Sequence, residues 1–135
     1  MPIFGREEDA ADQFSSYIIL QHDKQRARGA ILGSAYQYRL DVKQSQIALP
    51  TSKFSDEHGH PAQRFFNVLC IAYGSDPKLY SDLVTKGLLP QDRADQCPVE
   101  YKQTAYAFQT LIGPHVDKVA AKRALKRQHK GKSAL

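Results

Sequence analysis

No apolar run in this 135-residue chain approaches the roughly 20 residues that span a bilayer. The opening Met-Pro-Ile-Phe-Gly-Arg-Glu-Glu has neither a basic n-region nor a long apolar h-region, so nothing in it reads as an export signal. No two of the five histidines (His22, His58, His60, His115, His129) are four residues apart, which excludes a His-Glu-x-x-His zinc helix built from these residues. No segment alternates as a half-buried strand does, no repeat is visible, and Gly and Pro are not in excess. With only two cysteines, at most one intrachain disulfide is available. These shortages leave a mainly α fold as the reading, a multi-helix domain of about five helices.

The length suits one domain with a real core. A net charge of +5 suggests a polyanion partner until the charge is located. Lys118, Lys122, Arg123, Lys126, Arg127, Lys130 and Lys132 stand against Asp117 alone, giving the tail +6 and leaving the body at −1. The basicity therefore belongs to residues 115–135, read as a tail that is partly helical and then disordered. That tail has no apolar face rich in Trp or Phe, so no specific nucleic-acid partner is expected.

Acids crowd the start of a helix over Arg6 to Gln21, along which Ala10, Phe14, Tyr17 and Ile18 recur at helical spacing. A second helix is predicted between Asp23 and Gln46, with Ile31, Ala35 and Tyr38 on one stripe. Residues 47–60 read as a loop. Pro61 suits the first position of a third helix that stops at Gly74. Asp76, Pro77 and Gly87 have the cap, first-turn and terminator positions of a fourth. A short helical turn follows Pro90, and Pro98 opens a fifth helix with Tyr101, Ala105, Phe108 and Ile112 facing inward.

Glu8 and Asp12 lie four apart, hence on one helix face, with small Ala10 and Ala11 allowing another helix to approach. Such a pair suits a metal site, in which one carboxylate ligates and the next orients a ligating His. It equally suits a first turn whose acids offset the helix dipole. His58 and His60 fit solvated turn residues better than a separate metal site. Cys70 and Cys97 fit either a bridge or two buried thiols.

Gly5-Arg6-Glu7-Glu8-Asp9-Ala10-Ala11-Asp12-Gln13-Phe14 resembles the second metal-site helix of the bacterial putative metallopeptidase family catalogued as domain of unknown function 4344. Further matches follow in order: Asp56-Glu57-His58, Gln63-Arg64-Phe65-Phe66-Asn67, Cys70, Tyr73-Gly74-Ser75-Asp76-Pro77, Leu89-Pro90 with Arg93-Ala94, and Cys97-Pro98 with Glu100-Tyr101. The resemblance covers about residues 2–114 and implies the C-terminal portion of a Glu-type zincin. In that frame Glu8 is the third zinc ligand, with Glu7 its rival, and Asp12 is the partner of a ligating His. Zinc is the cofactor, a peptide or protein is the substrate, and zinc-bound water attacks the peptide carbonyl. Asp56 and His58 are implied as an acid-supported oxyanion stabiliser.

The family's His-Glu-x-x-His lies upstream of this helix and has no counterpart here, so the chain reads as a truncated form, inactive alone. The alternative is a zinc-free helical binding or structural module. Without its packing partner, the first helix is expected to expose Phe14 or Ile18 and favour self-association. The family's character as an exported or periplasmic protein implies a Cys70–Cys97 disulfide.

Overall fold

The computed structural model describes residues 6–44, 59–116 and 118. Among them are six helices and no strand: α1 (Glu7–Leu20), α2 (Lys24–Gln44), α3 (Pro61–Ser75), α4 (Asp82–Thr85), α5 (Gln91–Ala94) and α6 (Cys97–Leu111). The chain divides into two compact units, residues 1–104 and 105–135, with the boundary inside α6. The predicted loop lies outside the described residues as far as residue 58, as does the tail beyond Lys118.

Local signals start the helices. Asp23 Oδ1 accepts the N–H groups of Gln25 and Arg26 at 3.1 Å each, capping α2. His60 Nδ1 accepts from the Ala62 N–H at 3.2 Å, and Pro61 fills the first position of α3. α3 packs on α1, α2 and α5. The core of the first unit joins Ile31 and Ala35 of α2 to Val68, Leu69, Cys70 and Ala72 of α3, with Tyr80, Leu83, Leu89, Ala94 and Cys97 closing it.

Two expectations are revised. α3 does not stop at Gly74 but runs to Ser75, and Gly74 serves a close approach. A Cβ there would overlap the Cys97 carbonyl and lie 2.8 Å from the Tyr101 Cβ. The segment after Asp76 is not a continuous helix: Asp76 Oδ1 accepts from the Leu79 N–H, yet residues 77–81 form turns and only Asp82–Thr85 are α-helical. The N–H groups of Ser81, Leu83 and Val84 reach back three residues instead of four, in a segment that buries Tyr80 and Leu83, three apart, to 1% and 0% exposure.

The terminator was correctly placed. Gly87 has φ +67°, and the N–H groups of Gly87 and Leu88 return to the carbonyls of Val84 and Leu83, a Schellman closure.

α1 exposes the two residues expected to be open. Tyr17 is buried and its ring centroid lies 5.9 Å from that of Tyr101, but Phe14 and Ile18 remain 39% and 36% exposed. Ser16 is buried instead, and Asp12, one turn earlier, is drawn inward by an ion pair to α3. Tyr101, Ala105 and Phe108 of α6, and Ile112 just past its end, are each only partly buried, and within the helix Cys97 alone is fully enclosed.

Candidate metal-site helix and its brace

Asp12 is where α1, α2 and α3 meet. Arg64 of α3 donates Nε to Asp12 Oδ2 at 2.7 Å and Nη2 to Oδ1 at 2.9 Å, a two-point fork matching the carboxylate plane. The Tyr38 hydroxyl of α2 donates to Oδ1 at 3.0 Å, and the Arg64 guanidinium lies over the Tyr38 ring, 4.7 Å from its centroid. The Asp12 and Arg64 side chains keep only 12% and 24% of their exposure, so this pair is largely withdrawn from water.

The electrostatics agree. The Asp12 hydrogen bond, against the opposing effect of burial, holds the Arg64 guanidinium more firmly charged, and Glu8 adds to this. Burial first, then the Asp12 hydrogen bond, pushes the Tyr38 phenol above its ordinary value.

Glu8 sits one turn before Asp12, partly buried and within electrostatic reach of Arg64, whereas Glu7 is exposed. The chain enters α3 pressed against the first turn of α1. Gly59 is buried, and a Cβ on it would lie 3.4 Å from Arg6 Nη1, 3.6 Å from Arg64 Cγ and 3.7 Å from Asp9 Oδ1. At the next residue the cap bond fixes His60 with its proton on Nε2, and that buried nitrogen has no hydrogen-bond partner among the described residues. In this tautomer Nε2 is a donor and not a metal ligand. Asp56 and His58 lie outside the described residues.

The far end of α3 is held differently. Cys70 and Cys97 are joined by a disulfide with Cα atoms 5.0 Å apart, both fully buried. Arg93 of α5 forks onto both oxygens of Glu100, with Nη2 at 2.9 Å from Oε2, and Glu100 Oε2 lies 3.6 Å from Cys70 Sγ. On the α2 side, Arg28 binds Asp82 at 2.7 Å and the Leu79 carbonyl at 3.0 Å, and Lys24 binds Asp76 at 2.9 Å.

Sequence reasoning missed Arg64 and Tyr38 as partners of Asp12. One signal was available: a cation at the start of a helix opposes its dipole, and α3 has no acid in its first turn to answer Arg64. Such a residue points to a carboxylate elsewhere.

Residues 1–112 match the family described as putative metallopeptidase, domain of unknown function 4344, and the chain belongs to that family. No curated protein and no solved structure matches it. A catalytic zinc takes three protein ligands, and no group of three His, Cys, Asp or Glu side chains able to hold a metal occurs among the described residues. Those residues alone therefore do not make up a zinc site. Arg64 and Tyr38 together donate three hydrogen bonds to the two oxygens of Asp12, fewer than the roughly four a carboxylate can accept.

Proposed function

We propose that this chain supplies a braced, ligand-bearing helix to a zinc metallopeptidase domain acting on peptide or protein substrates. Glu8 is the carboxylate it offers to zinc, with Glu7 the alternative, and Asp12 holds α1 against α2 and α3 so that Glu8 is fixed in position. The support is family membership over residues 1–112 together with the Asp12–Arg64–Tyr38 lock one turn from Glu8. The remaining donors and the general base would come from outside the described residues. Asp56 and His58 are carried in this reading as oxyanion stabilisers.

With one carboxylate donor, the 135-residue chain alone would hold zinc weakly and would not hydrolyse peptides. The enclosed disulfide supports maturation in an oxidising compartment.

A second reading, a zinc-free helical module on the same scaffold, is supported by the Asp12–Arg64–Tyr38 lock, which joins three helices without a metal. Intact mass and zinc content of the native gene product decide between them. A species above 15.2 kDa that carries zinc, and loses it on Glu8→Ala, supports the metallopeptidase reading. A zinc-free species at 15.2 kDa supports the module. Casein cleavage by the chain alone, unaffected by Glu8→Ala, would overturn the assignment of Glu8.

A further inference from the structure

The cations near the start of α2 stand against its dipole, and two of them are answered by carboxylates: Lys24 by Asp76 at 2.9 Å and Arg28 by Asp82 at 2.7 Å. Arg26 lies two places from each, hence on another flank of the helix, and is exposed with no ion pair among the described residues. It lines an open hollow of about 300 Å³ where α1 ends and α2 begins, together with Ile19, His22, Asp23, Ala27 and Ala30. Ile19, Ala27 and Ala30 make part of that lining apolar. Asp23 Oδ1 accepts the cap bonds from the Gln25 and Arg26 N–H groups, whereas Oδ2 accepts no hydrogen bond from the described residues.

A carboxylate and a guanidinium one helical turn apart thus border an apolar surface without pairing with each other. Their complement is a molecule with the reversed charges close together and an apolar group beside them. We infer that this hollow binds a free α-amino acid with an apolar side chain. Its ammonium lies on Asp23 Oδ2, its carboxylate on the Arg26 guanidinium, and its side chain on Ile19, Ala27 and Ala30. Both pairings are charge-assisted hydrogen bonds. A fatty acid or a peptide C-terminus has a carboxylate for Arg26 but no cation for Asp23, and so sets two carboxylates near one another. The volume is at the small end for a ligand site and suits one residue better than a stretch of peptide. Ile19 is about three turns from Glu8 along α1, so the site does not rest on the metallopeptidase reading.

Titration of the 135-residue chain with L-leucine, followed by the amide chemical shifts of residues 19–30, tests it. The expected result is saturable binding to one site. L-leucinamide, which lacks the carboxylate, N-acetyl-L-leucine, which lacks the ammonium, and glycine, which lacks the side chain, should each bind at least roughly fivefold more weakly. Arg26→Gln should erase the preference for leucine over leucinamide. Asp23→Asn keeps an oxygen for the helix cap and should erase the preference over N-acetyl-leucine. Ala30→Phe, at an exposed position, should fill the hollow and abolish binding with the far-ultraviolet circular dichroism unchanged. No saturation by leucine up to its solubility, equal binding of leucine and N-acetyl-leucine, or binding that survives Ala30→Phe would overturn the inference.

Discussion

Replacing Arg64 by Met probes the brace beneath the proposed ligand helix. The change keeps much of the aliphatic stem but removes both hydrogen bonds to Asp12 and the cation over the Tyr38 ring. It leaves a carboxylate with 12% side-chain exposure and, among the described residues, the Tyr38 hydroxyl as its one remaining side-chain partner. Exposed ion pairs contribute about 0–1 kcal/mol, and breaking a buried one costs about 3–5 kcal/mol. The intermediate burial places the loss at about 2 kcal/mol, or about 10 °C in Tm for a unit of this size. Urea unfolding measures it, with a midpoint shift of about 1 M at an ordinary slope. In a cycle with Asp12→Asn, the double variant should lose less than the sum of the single ones by about 1 kcal/mol or more. Arg64→Lys should restore only part of the loss, because an ammonium cannot fork. A cost under about 0.5 kcal/mol with additive single variants would show a pair that water screens, and the brace would not exist.

Gly74→Ala sets a methyl group against the Cys97 carbonyl and should destabilise the fold by about 1–3 kcal/mol, read by thermal unfolding. Removing the disulfide by Cys70→Ala/Cys97→Ala, across a separation of 27 residues, should cost about 3–4 kcal/mol, checked by urea unfolding. The Arg28 hydrogen bond holds Asp82 below the usual carboxylate range, and the Lys24 hydrogen bond does the same for Asp76. Their contribution is complete above the unfolded value of about 3.9 and is lost as pH falls through the lower folded values. The stability gap between wild type and Asp82→Asn should therefore narrow between pH 7 and about pH 3, and a constant gap would contradict the assignment.

The helix boundaries were legible wherever a local residue sets them. Asp23 opens α2, Pro61 opens α3, and Gly87 closes the α4 turn by signals within a few positions. The interior of 77–85 was not legible. Asp76 and Gly87 mark its ends but not whether the hydrogen bonds between them step back three or four residues, and that is set by a core that takes Tyr80 and Leu83 together.

The family was legible from several matches in order, and the Glu8/Asp12 face from their spacing. The partners of Asp12 on that face were not. Its ion pair joins residues 52 apart, and the Tyr38 bond joins residues 26 apart. No local pattern carries either distance.

The disulfide joins α3 to the first residue of α6 and closes residues 70–97 into a covalent ring that contains α4 and α5. α1 and α2 lie outside that ring. A protease cutting within 77–96 would leave a nicked chain that migrates as one species until it is reduced. A cut in α1 or α2 would release a fragment on denaturation without any reductant. The half of the fold that carries Glu8 is thus held to the ring by packing and by the Asp12 brace, with no sulfur bond between them.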